Sequence, residues 1–512
     1  MSTSTSTSNS IKPCSDVEFG SSPLTILFAK YIIHGPATQP PTCDGIVVMK
    51  DGIIQYVGKQ GTKEANEYIQ LLAAEATKGK GDEDDGADVD VDDDREKKEV
   101  AGRDVSTTTT AAASKNETLL VYHVHTIMPG MWDVHTHFFG GISRKATLYE
   151  NQWKWIFEDR AVKVGRDVPR CKRILDSGFT SVREVGGLGK HLKVLIQEGS
   201  IYGPRIYHAN TPIHITGGHC DFPSDVPLSC VGALCNIIDA DENGGILTKG
   251  VDGPIDCCKQ VRQNIREGAS VIKICCSGGV LSNNAGMPTQ QQFSGEEIKA
   301  MTEEATRHDR IVCAHCHSQK GIVNAIQNGV TCIEHCTLAT DETVLDMIKE
   351  KDILVVPTRW VIENLIPSTG IDGPKPNGMS DVSWKKLQMI YTTSKEVHAK
   401  LIQKGIKIAT GCDIFVSEGY GTSSKELQYL VELGMTSEQA IEAATANGPL
   451  SLGSMGMAPL SGQIKKGYDA DILGLSTNPL VDSRGVSVLQ EYDTTIQLVI
   501  KGGIIQKNIL YS

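Results

Sequence analysis

The sequence predicts an α/β fold, namely a (β/α)8 barrel carrying a small β-sandwich domain formed by both ends of the chain. Between residues 130 and 459, short apolar runs alternate with longer amphipathic segments that end at Gly or Asn. This alternation is typical of parallel strands joined by helices. About eight such units in these roughly 330 residues fit a closed barrel. An open doubly wound sheet is the competing topology, because periodicity alone does not separate the two.

The segments outside the barrel predict the small domain. Residues 23–129 include the β-rich runs LTILFAKYIIHG and GIVVMKDGIIQYVG, with a hairpin turn after Lys50. Residues 460–512 are β-rich again in DADILGLS and TTIQLVIKGGIIQ, so we expect the two chain ends to pair. Residues 1–22 and the acidic insertion 78–116 are expected to be disordered, because their composition cannot bury enough apolar surface. A cation-binding or partner-binding acidic loop is the less favoured reading of the insertion.

Composition and charge limit the class of protein. Hydrophobic residues make up 40% of the chain, which permits a large core, and much of the net charge of −12 lies in the acidic insertion. No run approaches the ~20 apolar residues that span a bilayer. The N-terminus lacks the apolar region of a secretory signal, and no basic patch indicates nucleic-acid binding. Fifteen cysteines without a regular framework favour reduced thiols. We therefore expect a cytoplasmic protein with no membrane or nucleic-acid partner.

The strongest local signal is the pair His135 and His137 in the run MPGMWDVHTH. Positions i and i+2 of a strand point to the same side, so both imidazoles can reach one metal ion. For an isolated pair of this kind, a purely structural role is about equally common. A second pair, His123 and His125, lies upstream of the Pro-Gly turn in the expected small-domain strand, and we assign it no ligand role.

A lysine inside an apolar strand is the second signal. Lys273 lies in SVIKICCSGG, where a lone charged side chain is unusual. An edge strand or a buried salt-bridge partner would explain it without chemistry. Alternatively, a neutral Lys273 amine could take up CO₂ to form a carbamate, which presents two oxygens like a carboxylate and could bridge two metal ions.

Three further candidates end apolar runs and precede polar turns. They are His315 in IVCAHCHS, His335 in TCIEHC and Asp413 in IKIATGCDIF. The carboxyl ends of barrel strands form the active-site face of this fold. We therefore predict that these three residues share one metal site with Lys273, His135 and His137. Each residue alone is at least as easily explained by packing.

A competing motif overlaps one of these runs. Cys313, Cys316 and His317 match the C-x-x-C-H spacing of haem attachment and contain a C-x-x-C redox spacing. The motif occurs once, in a strand-like run, and no export signal accompanies it. Haem binding and thiol redox chemistry are therefore disfavoured.

Taken in order, the motifs resemble the amidohydrolase superfamily over nearly the whole chain. The segments that carry the resemblance are DGIIQYVG, MPGMWDVHTHF, TSVREVGG, ITGGHCD, VIKICCSGG, AHCHS, TCIEHC, TGCD, AATANGPLSLG and GQIKKGYDADILGL. The branch they resemble contains Xaa-Pro dipeptidases, imidazolonepropionase-like enzymes and a fungal ochratoxin-hydrolysing amidase. The acidic insertion departs from the family pattern. So do the cysteines beside several candidate ligands, and thiolates favour softer metals.

The resemblance implies a dinuclear centre that holds two Zn²⁺ or similar divalent ions. His135 and His137 would bind the more buried ion. Lys273, N-carboxylated by CO₂, would bridge the two ions. His315 and His335 would bind the second ion.

The resemblance also implies the reaction. A metal-bridging hydroxide would hydrolyse an amide bond, while Asp413 contacts the first ion, accepts the water's proton and returns it to the leaving amine. His219, in ITGGHCD, would lie near the substrate, and His317 would be a neighbouring or buried structural residue. The expected substrate is a small molecule, a dipeptide or N-acyl amino acid with a free carboxylate, acted on by a homo-oligomer.

Three alternatives to this reading stay open. Cyclic amides or imidazolones are the alternative substrates for the same centre. Deamination of a ring amine is another, although superfamily deaminases usually lack the bridging lysine, so Lys273 counts against it. Outside catalysis, the chain could be a metal-binding scaffold.

Overall fold

The computed structural model describes residues 23–510, apart from 79–118, 144–145, 148–149, 152–153, 155–156, 222–226, 228–229, 231–249, 283–285 and 455. The segments predicted to be disordered therefore lie outside the described residues, except for the first residue of the acidic insertion. Within the described ranges, no helix has both the length and the apolar character that crossing a membrane requires.

The strands of the described residues are β1 (Leu24–Ile32), β2 (Thr42–Lys50), β3 (Ile53–Lys59), β4 (Leu119–Pro129), β5 (Met131–Thr136), β6 (Phe179–Glu184), β7 (Arg205–His208), β8 (Ile272–Cys275), β9 (Val312–Ser318), β10 (Cys332–Leu338), β11 (Leu354–Val356), β12 (Ile472–Leu475), β13 (Ile496–Lys501) and β14 (Ile504–Asn508).

The helices of the described residues are α1 (Lys63–Lys78), α2 (Arg160–Asp176), α3 (Gly189–Gln197), α4 (Pro254–Arg266), α5 (Gly295–Thr306), α6 (Gln319–Gln327), α7 (Glu342–Glu350), α8 (Arg359–Leu365), α9 (Asp381–Gln403), α10 (Lys425–Glu432), α11 (Ser437–Ala444) and α12 (Tyr492–Thr495).

Both chain ends contribute to one seven-stranded mixed sheet in the order β14-β13-β12-β4-β1-β2-β3. Strand β4 pairs in parallel with β1 and antiparallel with β12, and so joins the two ends. The predicted hairpin after Lys50 is confirmed, because β2 and β3 pair antiparallel across Asp51 and Gly52. Both turn residues have positive φ, as a type I′ turn requires. Val47 of β2 and Leu498 of β13 share one apolar core, so the sheet curves over itself.

The strands between these ends form a closed barrel of parallel strands. Strands β5-β6-β7 and β8-β9-β10-β11 are joined by the parallel bridge between Ile213 and Ile274. On the other side, residues 408–414 act as the eighth strand, since parallel bridges join Ile408 to Val355 of β11 and Ile414 to Thr136 of β5. The predicted (β/α)8 barrel is confirmed, and the open doubly wound sheet is excluded.

The helices around the barrel begin where the sequence marks a helix start. Ser294 precedes α5 and forms a capping box with Glu297, each side chain accepting the other residue's backbone N–H. Ser318 ends β9 and also caps α6 by accepting from the backbone N–H of Gly321. These caps satisfy N–H groups that a helix leaves unpaired and fix the point where each strand passes into its helix.

The eighth strand is less regular than the sequence predicts. A Cβ at Gly411 would lie 2.7 Å from the His135 Cβ and 2.5 Å from a Val356 methyl, so only glycine permits this close approach to β5. The next two backbone N–H groups, of Cys412 and Asp413, both donate to the His135 carbonyl at 3.2 and 2.7 Å. Two residues opposite one is the arrangement of a β-bulge, which changes the direction of the Asp413 side chain.

A buried carboxyl at the end of β6 makes the stability of the fold depend on pH. Glu184 is 0% exposed, and its Oε1 accepts from the Gly189 backbone N–H at 3.1 Å. Its Oε2 has no partner among the described residues. Burial raises the pKa of Glu184 from 4.5 to about 8. As pH rises through this window the unfolded chain loses the proton first, so the folded state loses stability between about pH 4.5 and about pH 8.

The variant Glu184→Gln should remove this dependence. We expect the difference in free energy of unfolding, variant minus wild type, to rise by on the order of 3 kcal/mol between about pH 5 and about pH 8. Urea denaturation at several pH values measures the difference. Glu198→Gln, at an exposed residue directly after α3, is the control and should show no pH-dependent gain. A constant difference for Glu184→Gln across this range would contradict the assignment.

Candidate metal centre

The predicted site residues line one cavity at the carboxyl ends of the barrel strands. They are His135, His137, His219, Lys273, His315, His335 and Asp413. They come from β5, β8, β9, β10, the eighth strand and the loop that follows β7. Residues distant in sequence therefore meet at the face of the barrel where active sites are found.

The first group in the cavity is built around Asp413. Its Oδ1 lies 3.5 Å from His135 Nε2 and 3.1 Å from His137 Nε2. The two imidazole rings are 5.3 Å apart between centroids, so they do project to the same side. Burial acts to raise the pKa of Asp413, but the two imidazoles and Lys273 hold it below its usual value. Asp413 is thus a carboxylate at neutral pH and can bind a cation or accept a proton.

The second group consists of His315, His317 and His335. One ligand atom of each lies within 4.8 Å of those of the other two. A further group joins His335 to His135 and Asp413 within the same distance. Because His335 belongs to both groups, two ion positions would be adjacent. His317, which the sequence analysis sets aside as a neighbour, is as well placed for a ligand as His315.

Hydrogen bonds at Nδ1 fix the orientation of four imidazoles. The pairs are His135 with Glu334 Oε2 at 2.7 Å, His137 with the Gly186 carbonyl at 2.8 Å, His317 with Thr337 Oγ1 at 2.8 Å, and His335 with Thr358 Oγ1 at 2.7 Å. A partner on one ring nitrogen leaves the other available, which is the arrangement of metal-ligating histidines.

The protonation state of four histidines in the cavity also suits metal binding. Burial lowers the pKa of His135 to about 4 and that of His317 to about 3. Burial also holds the pKa of His315 and of His335 well below the usual value. The rings are therefore neutral at neutral pH, which is the form that binds a metal. Imidazoles with a carboxylate are a donor set that zinc accepts, so the residues fit a divalent transition metal.

Two charged residues that the sequence analysis did not identify support this centre. Glu334 and Arg183 are both 0% exposed, and Arg183 Nη2 donates to Glu334 Oε1 while Glu334 Oε2 faces His135. Burial acts to raise the pKa of Glu334, but Arg183 and His135 hold it well below its usual value. Glu334 lies in the apolar run TCIEHC and Arg183 in TSVREV. A charged side chain within an apolar strand, the signal used for Lys273, therefore identifies both.

Lys273 has neither of the structural explanations considered for it. Strand β8 lies between β9 and the chain at Ile213, so it is not an edge strand. Lys273 is buried, at 4% exposure. Among the described residues, no carboxylate lies within ion-pair distance of its ammonium group. A buried charge without a partner is costly, so the position favours a chemical role.

His219 lies against the second group. Its ring stacks on that of His315 with 4.1 Å between centroids. Its backbone N–H donates to Gln292 Oε1 at 3.1 Å, while its Nδ1 has no hydrogen-bond partner within the described chain. Burial lowers the pKa of His219 to about 3, so the ring is neutral at neutral pH, and the residue lines the cavity.

The C-x-x-C spacing does not form a thiol pair. Cys313 and Cys316 are both buried on β9 but belong to different apolar clusters, so their side chains lie on opposite sides of the strand. Among the described residues every cysteine is free. The two thiols act as small core residues.

Backbone strain is concentrated at the centre. His335, Cys336, Thr358 and Asp413 have φ values of 69°, 52°, 49° and 55°, which non-glycine residues seldom adopt. Such a conformation costs on the order of 1–3 kcal/mol and persists where the surroundings enforce it. At His335 one enforcing contact is His398, whose Nε2 donates to the His335 carbonyl at 2.7 Å.

The rest of the cavity wall is mostly apolar. The wall residues include Phe139, Val280, Leu281, Val361, Ile362, Leu365, Leu387, Ile390 and Phe415. Part of this wall is the loop after β8, which buried Lys386 of α9 holds in place. The Lys386 ammonium donates to the carbonyls of Gly279, Ser282 and Gly286 at 3.3, 2.8 and 2.8 Å. Three convergent carbonyls thus fix the loop beside the metal centre.

Replacing this ammonium should loosen the loop. We expect Lys386→Met to lower the free energy of unfolding by about 2–3 kcal/mol, because three carbonyls lose a charged donor. Lys385→Met is the matched control, since Lys385 is the exposed neighbour on the same helix, and it should change stability by less than about 0.5 kcal/mol. Urea denaturation compares the two. Equal losses would show that the three hydrogen bonds do not hold the loop.

The closed barrel and its histidine–aspartate cluster define a barrel protein with a site able to hold metal ions. The chain belongs to the amidohydrolase family, whose model matches residues 126–505. It is 38% identical to ochratoxinase from Aspergillus niger over 387 residues, which cover 75% of this chain and 76% of that protein.

Solved structures agree with this assignment. The crystal structure of A. niger ochratoxinase superposes with a TM-score of 0.74 at 32% identity, covering 96% of this chain and 97% of that one. A Xaa-Pro dipeptidase with methionine bound in its active site gives a TM-score of 0.70 at 26% identity, covering 94% and 99%. The predicted family and its branch are confirmed.

Proposed function

We propose that this protein is a dinuclear metal-dependent amidase that cleaves a dipeptide or an N-acyl amino acid. The observation that carries the proposal is the convergence of hydrogen-bonded imidazoles, Asp413 and Lys273 in one cavity, where Lys273 has no carboxylate partner among the described residues. Ochratoxinase and Xaa-Pro dipeptidase, the named relatives, support amide-bond hydrolysis as the reaction.

Each ligand has a proposed place. His135, His137 and Asp413 hold one ion, and His315 and His335 hold the other. The neutral Lys273 Nζ would add to CO₂: an N–C bond forms, one C=O π bond breaks, the nitrogen loses a proton, and the resulting carbamate would offer two oxygens as ligands. This modification would account for a buried lysine that has no carboxylate partner in the described part of the chain.

Two Zn²⁺ or similar ions would polarise the scissile carbonyl and lower the pKa of the attacking water. The chain's own residues supply the proton transfer. Asp413, ionised at neutral pH, accepts the proton of the attacking water and passes it to the leaving nitrogen. His219, which is neutral and lines the cavity, hydrogen-bonds the substrate beside His315.

The cavity wall suggests the substrate class. Its aliphatic and aromatic side chains would bury an apolar group on one side of the scissile amide. The free carboxylate is proposed from the Xaa-Pro dipeptidase relative, because a dipeptide carries a carboxylate next to its single peptide bond. The preferred substrate is thus an amide of an amino acid with an apolar side chain or acyl group.

A matched substrate panel tests this proposal. The metal-loaded protein is offered N-acyl-phenylalanine, N-acyl-aspartate, Xaa-Pro dipeptides, ochratoxin and a cyclic imide, together with the methyl ester of each carboxylate substrate. We expect N-acyl-phenylalanine to exceed N-acyl-aspartate in kcat/KM, with a loss of about tenfold or more on esterification. Equal rates for acid and ester would remove the carboxylate from the proposal. Hydrolysis of the cyclic imide alone would favour a ring hydrolase, and no hydrolysis of any member a non-catalytic role.

A further inference from the structure

Two thiols meet in the cavity without belonging to the candidate metal centre. Cys220 Sγ and Cys275 Sγ lie 3.9 Å apart, in van der Waals contact, and both residues line the cavity. Cys275 is the last residue of β8, whereas Cys220 lies in the loop after β7, 55 positions earlier in the chain. The contact therefore joins two separate elements of the barrel mouth.

The contact differs from those of the other buried thiols. Cys316 and Cys412 donate to backbone carbonyls, of Ser318 at 3.7 Å and Ser423 at 3.5 Å, as cysteines that serve as small core residues commonly do. Cys220 instead has a φ of 78°, in the left-handed region that disfavours a side chain. The loop thus holds the Cys220 thiol against Cys275 in a strained backbone conformation. Cys220 is partly exposed to the cavity, whereas Cys275 is buried behind it at 0% exposure.

We propose that Cys220 and Cys275 form a peroxide-sensitive thiol pair that closes to a disulfide. The Cys220 sulfur attacks one peroxide oxygen, so that an S–O bond forms, the O–O bond breaks and water leaves. The Cys275 sulfur then attacks the resulting sulfenic sulfur, and the hydroxyl leaves as water with the Cys275 proton. Two thiols lose two electrons and two protons in total, and one hydrogen peroxide becomes two waters.

Closing the pair displaces His219. The sulfurs must approach from 3.9 Å to a bond length of ~2.05 Å. Cys275 is held in the barrel, because its N–H donates to the Ile213 carbonyl at 2.9 Å, so Cys220 is the residue that moves. His219 precedes it and is packed tightly between the His315 ring and Gly279, where an added Cβ would lie 2.2 Å from the imidazole. The movement therefore shifts His219 relative to the metal centre.

The consequence for activity rests on the proposed function, whereas the disulfide itself does not. A displacement on the order of 1 Å near the reacting groups can cost up to about 10²-fold in rate. We expect oxidation to lower the amidase rate by about tenfold or more, and reduction to restore it.

Peptide mapping of the full-length, metal-loaded protein tests the pair directly. After hydrogen peroxide treatment and digestion without reduction, we expect one cross-linked peptide joining Cys220 to Cys275, lighter by two hydrogens and lost on treatment with a phosphine reductant. Cys220→Ser and Cys275→Ser should each abolish it. Cys43→Ser, at an exposed thiol of the small sheet, is the control and should leave it intact.

Activity is then compared for each variant with its own untreated sample, because both cysteines line the cavity. Wild type and Cys43→Ser should lose and regain activity, while Cys220→Ser and Cys275→Ser should keep their own starting rates. Two reduced thiols, separate oxidation to sulfinic acids, or a disulfide to another cysteine would overturn the pair. A mapped disulfide without any loss of activity would overturn its effect on His219. A mapped disulfide in a protein that hydrolyses no amide would support the pair and contradict only the proposed function.

Discussion

Asp413→Asn should lower kcat by about 10²–10⁴-fold, because an amide cannot accept the proton of the attacking water. The side chain keeps its shape, so the imidazoles of His135 and His137 keep a polar neighbour at 3.5 and 3.1 Å. The effect should therefore appear in kcat rather than in folding. Steady-state kinetics on the best substrate of the panel, with metal content measured on the same sample, gives the result.

The control for this prediction is a second aspartate outside the cavity. Asp352 lies on the surface and pairs with Lys407 at 2.6 Å, so Asp352→Asn should keep kcat within about twofold of the wild type. Near-normal turnover in Asp413→Asn with full metal content would mean that another group transfers the proton. His219 would then be the first candidate, because its Nδ1 has no partner in the described part of the chain.

Glu334→Gln should affect both the fold and the metal centre. Arg183 would remain buried at 0% exposure without a carboxylate, and stranding one partner of a buried pair costs about 3–5 kcal/mol. His135 would lose the carboxylate that orients it at 2.7 Å. Loss of such a partner weakens metal binding by about 10–100-fold. Urea denaturation of the metal-free protein and a metal titration report the two effects separately.

Glu304→Gln is the matched control for the fold. Glu304 is also buried, at 2% exposure, but its partners Arg262 and Arg307 are exposed at the surface. Water can therefore solvate those guanidinium groups after the substitution, and the cost should be about 1 kcal/mol. Wild-type stability and metal affinity in Glu334→Gln would show that the Arg183–Glu334–His135 chain does not support the centre.

The fold could be predicted from the sequence because its signals are local. Apolar runs and capped amphipathic segments identify strands and helices, and their alternation determines a parallel sheet. Closure of the barrel could not be read in the same way. It depends on the bulged segment 408–414, whose bridges to β5 and β11 are long-range and isolated. Gly411 is one sequence feature that reflects this closure, because a side chain there would collide with His135.

The candidate site was predictable where chemistry conflicts with burial. Lys273 and the histidines stood out because polar groups end apolar strands, and the structure brings them into one cavity. The sequence predicts a neighbouring or structural role for His317, yet its ring nitrogen lies as close to those of His315 and His335 as a metal ligand would. The left-handed backbone at His335 and Asp413 was not predictable, because neither residue type signals it and tertiary packing enforces it.

Metal content per chain, measured by elemental analysis on the wild type and on Lys273→Ala and paired with amide hydrolysis, tests the central claim most directly. Lys299→Ala, at an exposed lysine of α5, is the control and should match the wild type. We predict about two divalent ions per wild-type chain, and loss of both ions and of activity in Lys273→Ala. One ion or none in the folded wild-type protein, with no hydrolysis of any amide in the panel, would contradict a dinuclear amidase bridged by Lys273.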